Sequence, residues 1–531
     1  MMRTGCRLLF AVTLAGIVAA GSANAQFAYD IDSLLTAPMP LIPEALGDFT
    51  HPISTDVPEA QAYFDQGFQL MYAFGKPEAI RSFREAWRRD PNCAMCYWGE
   101  AWSWGSYLNL AMSTDDAPHA WAAIQKALEL RKHASAKEQA YIDALRYRYV
   151  ENYDIDRRRE QDEAYAIAMR AVYEQYPDDL DAATLYADAL FLLEERRGYR
   201  DIEYPPIAYI RSLLEEILDR NVRHVGACHL YIHLTESTEQ PELAEVCTPY
   251  ISAALPGASH INHMPSHTWN EIGRWGDSVR ANIEAWHSDL RAAEGKGVAI
   301  YPSHNLHMMF FAAAYDGQGA IAMRAAKDFT KLTGSSMQES LILLRFGRFE
   351  EILELEDHGA GDFADGVREF TRGYARLRID EPEFAAAHLS RLERVAEATN
   401  ARVRFDAASD VLGVLAGILR SEIQRTNGDL EAAIETLQAA VEREDSLNYD
   451  EPEIVPFAAR HWLGAALLEA GEFRAAEGVY RDELDDHPHN GWSLYGLLRA
   501  LEGRGGTDAS VAADFEQSWA RSDTWIQASR F

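Results

Sequence analysis

The chain has 531 residues, of which 83 are acidic and 50 are basic, and its formal charge is −33 at pH 7. A field of this sign repels nucleic acids and anionic lipids, so we expect no nucleic-acid partner. No stretch after the N-terminal segment approaches the roughly 18 apolar residues that a membrane-spanning helix needs, and we expect no membrane span.

The first 25 residues are typical of a cleaved secretory signal. Arg3 and Arg7 precede an apolar run over residues 8–20, and small residues stand at the third and the last position before Gln26. This pattern predicts a signal peptide over residues 1–25 and a lead segment over residues 26–59. We therefore expect an exported protein, either periplasmic or secreted.

Four cysteines follow the signal, and an oxidising compartment favours one or two disulfides among them. The sequence C-A-M-C is followed by Tyr97 rather than by histidine, which excludes a c-type haem site, and there is no second C-x-x-C for a zinc ribbon. Buried free thiols are the alternative. The disulfide candidates are Cys93, Cys96, Cys228 and Cys247.

Internal repetition runs through the rest of the chain. The segments Phe64–Cys93 and Arg460–Asn490 share an order of small, aromatic and proline positions, with apolar residues at helical spacing and glycine at the turn. Both segments resemble the tetratricopeptide repeat, in which 34 residues form two antiparallel helices. The matching positions are Gly67, Ala79, Phe83 and Pro91 in the first segment, and Gly464, Ala476, Tyr480 and Pro488 in the second.

The resemblance implies an all-α fold, an α-solenoid of about ten tetratricopeptide-like helix-turn-helix repeats with a concave groove. We divide it into N-terminal repeats over residues 60–224, histidine-rich repeats over residues 225–332 and C-terminal repeats over residues 333–531. The predicted units begin at Ala60, Ala94, Arg146, Leu180, Val225, Ser259, Ser303, Thr333, Phe370 or slightly before, Val414 and Phe457.

Seven of the 17 histidines lie in three short phrases, which read CHLYIHLTE, SHINHMPSH and YPSHNLH. Spacings of four and seven residues place His229, His233 and Glu236 within an arc of about 60° on one helix. By the family resemblance, the first helix of each repeat lines the groove. Three consecutive repeats would therefore direct these side chains at one wall of the groove.

Pro265 interrupts the second phrase inside the predicted first helix of its repeat. Proline at an interior position loses a hydrogen bond and clashes with the preceding turn. We therefore expect the helix to begin at residues 264–266, with proline in its first turn. His260 and His263 would then lie on an irregular entry segment.

Imidazole and carboxylate groups in this arrangement are ligands of zinc, iron, copper, nickel or manganese. The side chains exceed one tetrahedral shell, so either two metals bind or some histidines orient ligands or transfer protons. The predicted metal ligands are His229, His233, Glu236, His260, His263, His267, His304 and His307.

The sequence contains none of the common nucleophile, phosphate-binding or zincin signatures, so no catalytic residue is assigned. The phrases YIHLTE, HMPSH and HNLH also resemble exported bacterial tetratricopeptide proteins, but the resemblance implies no particular reaction. We interpret the chain as an exported solenoid that binds a transition metal, as a metal carrier or a metal-dependent enzyme. The alternatives are a scaffold that binds an extended peptide or envelope protein without metal, and a groove that responds to pH.

Overall fold

The computed structural model describes residues 29–194, 199–356 and 359–531. The predicted signal peptide, residues 1–25, lies outside these ranges. Within them, no helix is long and apolar enough to cross a membrane.

The described chain is built almost wholly of helices. In the first half they are α1 (Ile31–Thr36), α2 (Pro58–Tyr72), α3 (Lys76–Arg89), α4 (Ala94–Trp104), α5 (Ala117–Leu130), α6 (Ala136–Leu145), α7 (Arg158–Gln175), α8 (Leu180–Phe191), α9 (Pro205–Arg220), α10 (Val225–Thr235), α11 (Thr248–Ala254), α12 (Ser259–His263) and α13 (Pro265–Glu271). In the second half they are α14 (Trp275–Ala292), α15 (Pro302–Tyr315), α16 (Gly319–Thr333), α17 (Met337–Arg345), α18 (Phe349–Glu354), α19 (Asp362–Arg378), α20 (Pro382–Ala398), α21 (Ala408–Thr426), α22 (Leu430–Glu444), α23 (Arg460–Glu469), α24 (Phe473–Asp486), α25 (Gly491–Gly503) and α26 (Ala509–Ser518).

Short 3-10 helices punctuate this array, at Pro43–Ala45, Arg131–His133, Arg146–Arg148, Ile155–Arg157 and Pro241–Cys247. One antiparallel hairpin joins β1 (Arg402–Val403) to β2 (Asp406–Ala407).

Consecutive helices pack as pairs, and the first helices of successive pairs also contact each other, as α2 does with α4 and α19 with α21. This is the stacking of a tetratricopeptide-like α-solenoid, as the sequence predicted. Two glycines show why the helices of a pair approach closely. A Cβ atom at Gly67 would lie 2.9 Å from the Phe83 ring, and one at Gly464 would overlap the ring of Tyr480.

One predicted repeat boundary is wrong. The unit expected at Arg146 begins at Ala136, and Arg146 belongs to the 3-10 turn that ends its first helix. The missed signal is a capping box: the Ser135 hydroxyl accepts from the backbone of Glu138, whose carboxylate accepts from the backbone of Ser135. The structure also has a last pair, α25 and α26, that the sequence frame did not separate.

The solenoid closes on itself, so that its central repeats contact both ends. On the N-terminal side, the Tyr107 and Tyr301 hydroxyls lie 2.7 Å apart. On the C-terminal side, the Trp275 indole donates to the Pro488 carbonyl at 2.9 Å, and the Trp492 indole donates to the Ala314 carbonyl at 2.8 Å. The inner wall that the sequence predicted as a concave groove is therefore largely buried.

The segment between α22 and α23, residues 445–459, reaches into this interior. The β-hairpin holds it, because Arg404 contacts the Asp450 carboxylate at 2.8 Å and the Pro452 carbonyl at 3.3 Å. The backbone N–H of Asn448 donates to Asp406 at 3.1 Å. These contacts place Glu451 beside the histidine-rich helices.

Candidate metal centre

Helix α10 presents its predicted stripe inward. His229 and His233 lie on this helix, and Glu236 follows at its C-terminal cap. Each of the three side chains is 1% exposed. The four-residue and seven-residue spacings thus place them on one face, as the helical period requires.

The second phrase adds three more buried histidines, His260, His263 and His267. The expectation of an irregular entry segment is wrong, because residues 259–263 form helix α12. Met264 keeps helical angles, φ −51° and ψ −38°, and Pro265 then begins α13. Proline is tolerated here because it stands at the first position of a helix. His260 and His263 are therefore fixed by helical backbone.

Helix α15 supplies His304 but not His307. The His304 ring lies 4.6 Å from His263 and 5.5 Å from His267, measured between centroids. Three residues further along, the His307 ring packs at 5.0 Å from Phe310 instead. Burial lowers the pKa of His307 to about 3. The structure does not bring His307 into the histidine cluster.

The potential ligand atoms of this histidine cluster fall into three groups, in each of which the atoms lie within 4.8 Å of one another. We call the first two the α10 triad and the α15 triad. The α10 triad is His229, His233 and His260, and the α15 triad is His263, His267 and His304. The third group, His233, Glu236, His267 and Glu451, joins the two triads through carboxylates.

Hydrogen bonds at Nδ1 decide which nitrogen of each ring is available to a metal. The Nδ1 atom of His229 lies 2.6 Å from the Tyr72 carbonyl oxygen, and that of His263 lies 2.7 Å from Oδ1 of Asn282. A carbonyl oxygen can only accept, so both Nδ1 atoms carry the hydrogen. In the neutral rings, Nε2 then keeps its lone pair for a ligand.

Glu236 does the same for two further rings. One of its oxygens lies 2.9 Å from Nδ1 of His233, and the other lies 2.5 Å from Nδ1 of His267. A carboxylate that accepts from the distal nitrogen of a metal-binding histidine fixes the ring and raises its basicity. Glu236, predicted as a ligand, is thus placed to orient two histidine rings.

The Nε2 atoms of these rings face each other in pairs. His229 and His260 bring theirs within 3.2 Å, and His263 and His267 within 2.7 Å. Two nitrogens bound 2.0–2.1 Å from one tetrahedral ion lie about 3.3 Å apart. Paired lone pairs at such distances repel unless a proton or a metal ion lies between them.

The charge state of the cluster follows from burial and the two carboxylates. Burial, reinforced by the neighbouring imidazoles, lowers the pKa of His260, His263 and His304 well below the usual range. Burial acts the same way on His267, but Glu236 and Glu451 outweigh it and raise its pKa to about 9. Three of these rings are therefore neutral ligands at pH 7, and His267 holds a proton that a metal would displace.

Glu451 is a site residue that the sequence analysis missed. Its carboxylate lies 3.1 Å from Nδ1 of His267 and 3.9 Å from Nδ1 of His233. It comes from residues 445–459, more than 200 positions after α10, and no helical spacing relates it to the histidines. The only local signal is an acidic, proline-containing loop, which is common at surfaces.

Among the described residues, two disulfides form, Cys93–Cys96 and Cys228–Cys247. The first lies in the opening turn of α4. The second joins α10, next to His229, to the 3-10 helix Pro241–Cys247. It cross-links the helix that carries part of the α10 triad to the segment that follows it.

No family model matches the chain. No curated protein matches it either. Among solved structures, the chain is similar to the TPR domain of P58(IPK), with 10% identity, coverage of 84% of this chain and 98% of that one, and a TM-score of 0.22. It is also similar to yeast Tom70, with 11% identity, coverage of 87% and 97% and a TM-score of 0.32. A human IFIT1 dimer with m7Gppp-AAAA gives 11% identity, coverage of 88% and 91% and a TM-score of 0.31.

Proposed function

We propose that this chain is an exported metalloprotein whose two histidine triads each hold one transition metal ion. The observation that supports the proposal is the orientation of the histidine rings. Backbone, amide and carboxylate oxygens occupy the Nδ1 side of His229, His233, His263 and His267. Acceptors on the Nδ1 side of buried, clustered imidazoles are the usual second layer of a protein metal site, with Nε2 as the ligand atom.

The type of ligand narrows the choice of metal ion. Six imidazoles without a thiolate favour zinc, copper, iron or nickel over magnesium and calcium, which prefer oxygen. A set of three histidines per ion matches the composition of open zinc sites, which keep one coordination position for water or substrate. A bound ion would supply Lewis acidity or redox chemistry at that position.

The centre is too enclosed to admit a large substrate, and this favours a protein that holds a metal ion over an enzyme. The cleft that reaches His267 and Glu451 has a volume of about 20 Å³. This space accommodates about one water molecule. We therefore favour a metal carrier or store in this closed form, and an enzyme would have to displace the segment of residues 445–459 first.

An extended peptide is a poorer occupant of the histidine wall. Peptide-binding solenoids present their specificity residues on an exposed concave surface. Here the histidines of α10, α12 and α13 are at most 1% exposed, so a peptide would not reach them. A protein partner on another face of the solenoid is compatible with the metal proposal.

Metal analysis of the purified full chain tests the proposal. After growth in metal-replete medium, we expect about two equivalents of zinc, copper, iron or nickel per chain by inductively coupled plasma mass spectrometry. The double variants His229→Ala/His260→Ala and His263→Ala/His304→Ala should each lose about one equivalent while keeping the helical circular dichroism spectrum.

His307→Ala is the matched control, since His307 lies on α15 but outside both triads. It should keep both equivalents. Less than about 0.2 equivalents in the parent chain, with no uptake on titration with Zn²⁺ or Cu²⁺, would exclude the proposal.

A further inference from the structure

A second cluster of metal-ligating side chains lies beside a large acidic cavity. The cavity has a volume of about 790 Å³ and is lined by eleven carboxylates and two arginines. One of those arginines, Arg460, is already paired with Asp445 at 2.7 Å. A concave site with this excess of negative charge concentrates cations.

The cluster forms at the C-terminal end of α24, where it borders the cavity. Nδ1 of His487 lies 3.0 Å from Oε1 of Glu483 and 3.6 Å from Oδ2 of Asp486. The ligand atoms of these three residues all lie within 4.8 Å of one another. The negative end of the helix dipole adds to their attraction for a cation.

The other nitrogen of His487 has its own partners. Nε2 lies 3.3 Å from the Tyr315 hydroxyl and 3.4 Å from Oε1 of Glu453. The Tyr315 ring stacks on the imidazole at 4.6 Å and fixes its plane. A hydrogen on Nε2, donated to this pair, leaves the Nδ1 lone pair directed at Glu483 and Asp486.

Glu483 is the buried carboxylate of this cluster. It is fully buried, and neither of its carboxylate oxygens makes a hydrogen bond. Its near contacts are the two imidazoles, His487 and His461, the latter through Nε2 at 3.5 Å. The buried Arg345 lies over the Trp492 ring and donates to the Ser529 carbonyl instead. A buried carboxylate is costly unless a positive charge offsets it, and that charge is either a protonated His487, whose Nδ1 lies 3.0 Å away, or a bound cation.

We propose that Glu483, Asp486 and Nδ1 of His487 form a third metal site, for a divalent cation such as Mn²⁺. Two carboxylates and one imidazole match the ligands that manganese and ferrous iron take in proteins, with further coordination positions open. Asp486 is exposed on the cavity wall and gives the ion a path inward. This site goes beyond the two triads, whose ligands are all imidazoles.

Mn²⁺ titration of the full chain, followed by the electron paramagnetic resonance signal of free Mn²⁺, tests the site. Manganese prefers oxygen-rich ligands and therefore reports on this cluster more than on the histidine triads. We expect one Mn²⁺ bound by the parent chain and an affinity at least about tenfold lower in Asp486→Asn. Glu483→Gln should no longer bind Mn²⁺. If this change at a buried position prevents folding, Asp486→Asn alone tests the site.

Asp485→Asn is the matched control. Asp485 is equally exposed on the cavity wall, and its removal changes the cavity charge by the same amount without touching the cluster. Its affinity for Mn²⁺ should stay within about twofold of the parent value. Equal losses in both variants, or no Mn²⁺ binding by the parent, would overturn the proposal and leave a histidinium–carboxylate ion pair. The His229→Ala/His260→Ala variant should still bind Mn²⁺, which separates this test from that of the triads.

Discussion

At the scale of single residues, the candidate centre depends on the acceptors that face Nδ1 of four of its histidines, His229, His233, His263 and His267. Glu236 is the most connected of these acceptors, because it serves His233 and His267 and so touches both triads. Residues that orient metal-binding histidines typically change metal affinity by 10–100-fold when they are replaced.

Replacement of Glu236 by glutamine should therefore weaken metal binding without removing a ligand. The amide has one acceptor oxygen where the carboxylate has two, so one ring loses its partner. We expect a 10–100-fold loss of Zn²⁺ affinity in a competition titration with a chelating dye. Glu369→Gln, which removes the carboxylate at 2.7 Å from Nδ1 of His388, is the matched control and should leave the affinity unchanged. Unchanged affinity in Glu236→Gln would mean that this carboxylate does not position the rings.

The helical period was enough to predict the shared face of His229, His233 and Glu236, because the period links residues on one helix. The same reasoning placed His307 with the cluster, although on α15 its ring packs against Phe310 instead. It did not reveal Glu451 or Asn282, since each meets the histidines through tertiary packing. Which nitrogen of a ring is protonated was also beyond the sequence, because it depends on those partners.

At the scale of helices, the disulfide between Cys228 and Cys247 cross-links α10, which carries His229 and His233, to the 3-10 helix that follows it. This bond spans 19 residues, whereas Cys93–Cys96 spans only three. A cross-link stabilises a protein mainly by restricting the unfolded chain, and the effect grows with the enclosed loop.

Removal of the two disulfides should accordingly have different effects. Cys228→Ala/Cys247→Ala is expected to lower the free energy of unfolding by about 3 kcal/mol, and Cys93→Ala/Cys96→Ala by about 2 kcal/mol. Only the first pair should also weaken metal binding, because Cys228 precedes His229 on α10. Urea unfolding and metal titration of both variants measure the two effects. Equal metal affinity in both would show that the bond does not brace the centre.

Helices α14 and α15 are joined by a buried carboxyl group that should respond to pH. The Asn305 amide, next to His304, donates to Asp289 at 2.9 Å. Burial raises the pKa of Asp289 to about 7, although that hydrogen bond opposes the shift. The folded state therefore holds a proton that the unfolded chain, with an ordinary pKa of about 3.9, has already released.

This group should make the protein less stable as pH rises from about 4 to about 7, with no further effect above pH 7. Asp289→Asn keeps the shape without the titration, so its curve of unfolding free energy against pH should be flatter over that range. Urea unfolding at pH 4.5, 6 and 7.5 would measure the difference between the two proteins. If the two proteins gave parallel curves of unfolding free energy against pH, titratable groups other than Asp289 would account for the pH dependence.

At the scale of the whole molecule, the chain brings its two ends to the same centre. Tyr72 comes from α2 and accepts from His229, while Glu451 comes from the segment before α23 and contacts His267. The repeat pattern predicted most of the local helix pairs because apolar residues recur at helical spacing within each pair, and glycines such as Gly67 and Gly464 mark several of the close contacts. It did not predict the closure, because those contacts join residues far apart in sequence.

A metal bound at this junction should stabilise the N-terminal and C-terminal repeats together. Binding to the folded state adds about 2.7 kcal/mol when the free metal exceeds its dissociation constant by 100-fold. We expect a chelator to lower the midpoint of thermal unfolding and to split one calorimetric transition into two. The His229→Ala/His260→Ala variant should show a smaller response to the chelator. A single transition unaffected by the chelator would place the metal elsewhere.

Glu451 lies in residues 445–459, which the ribosome adds after all of the histidine-rich helices, because a chain is synthesised from its N-terminus. All six histidines of the triads are synthesised before that segment exists. A metal ion can therefore enter while the centre is still open on one side, before the segment folds over it. We expect later release to be limited by the opening of that segment, so that the protein retains metal through slow escape as well as through tight binding.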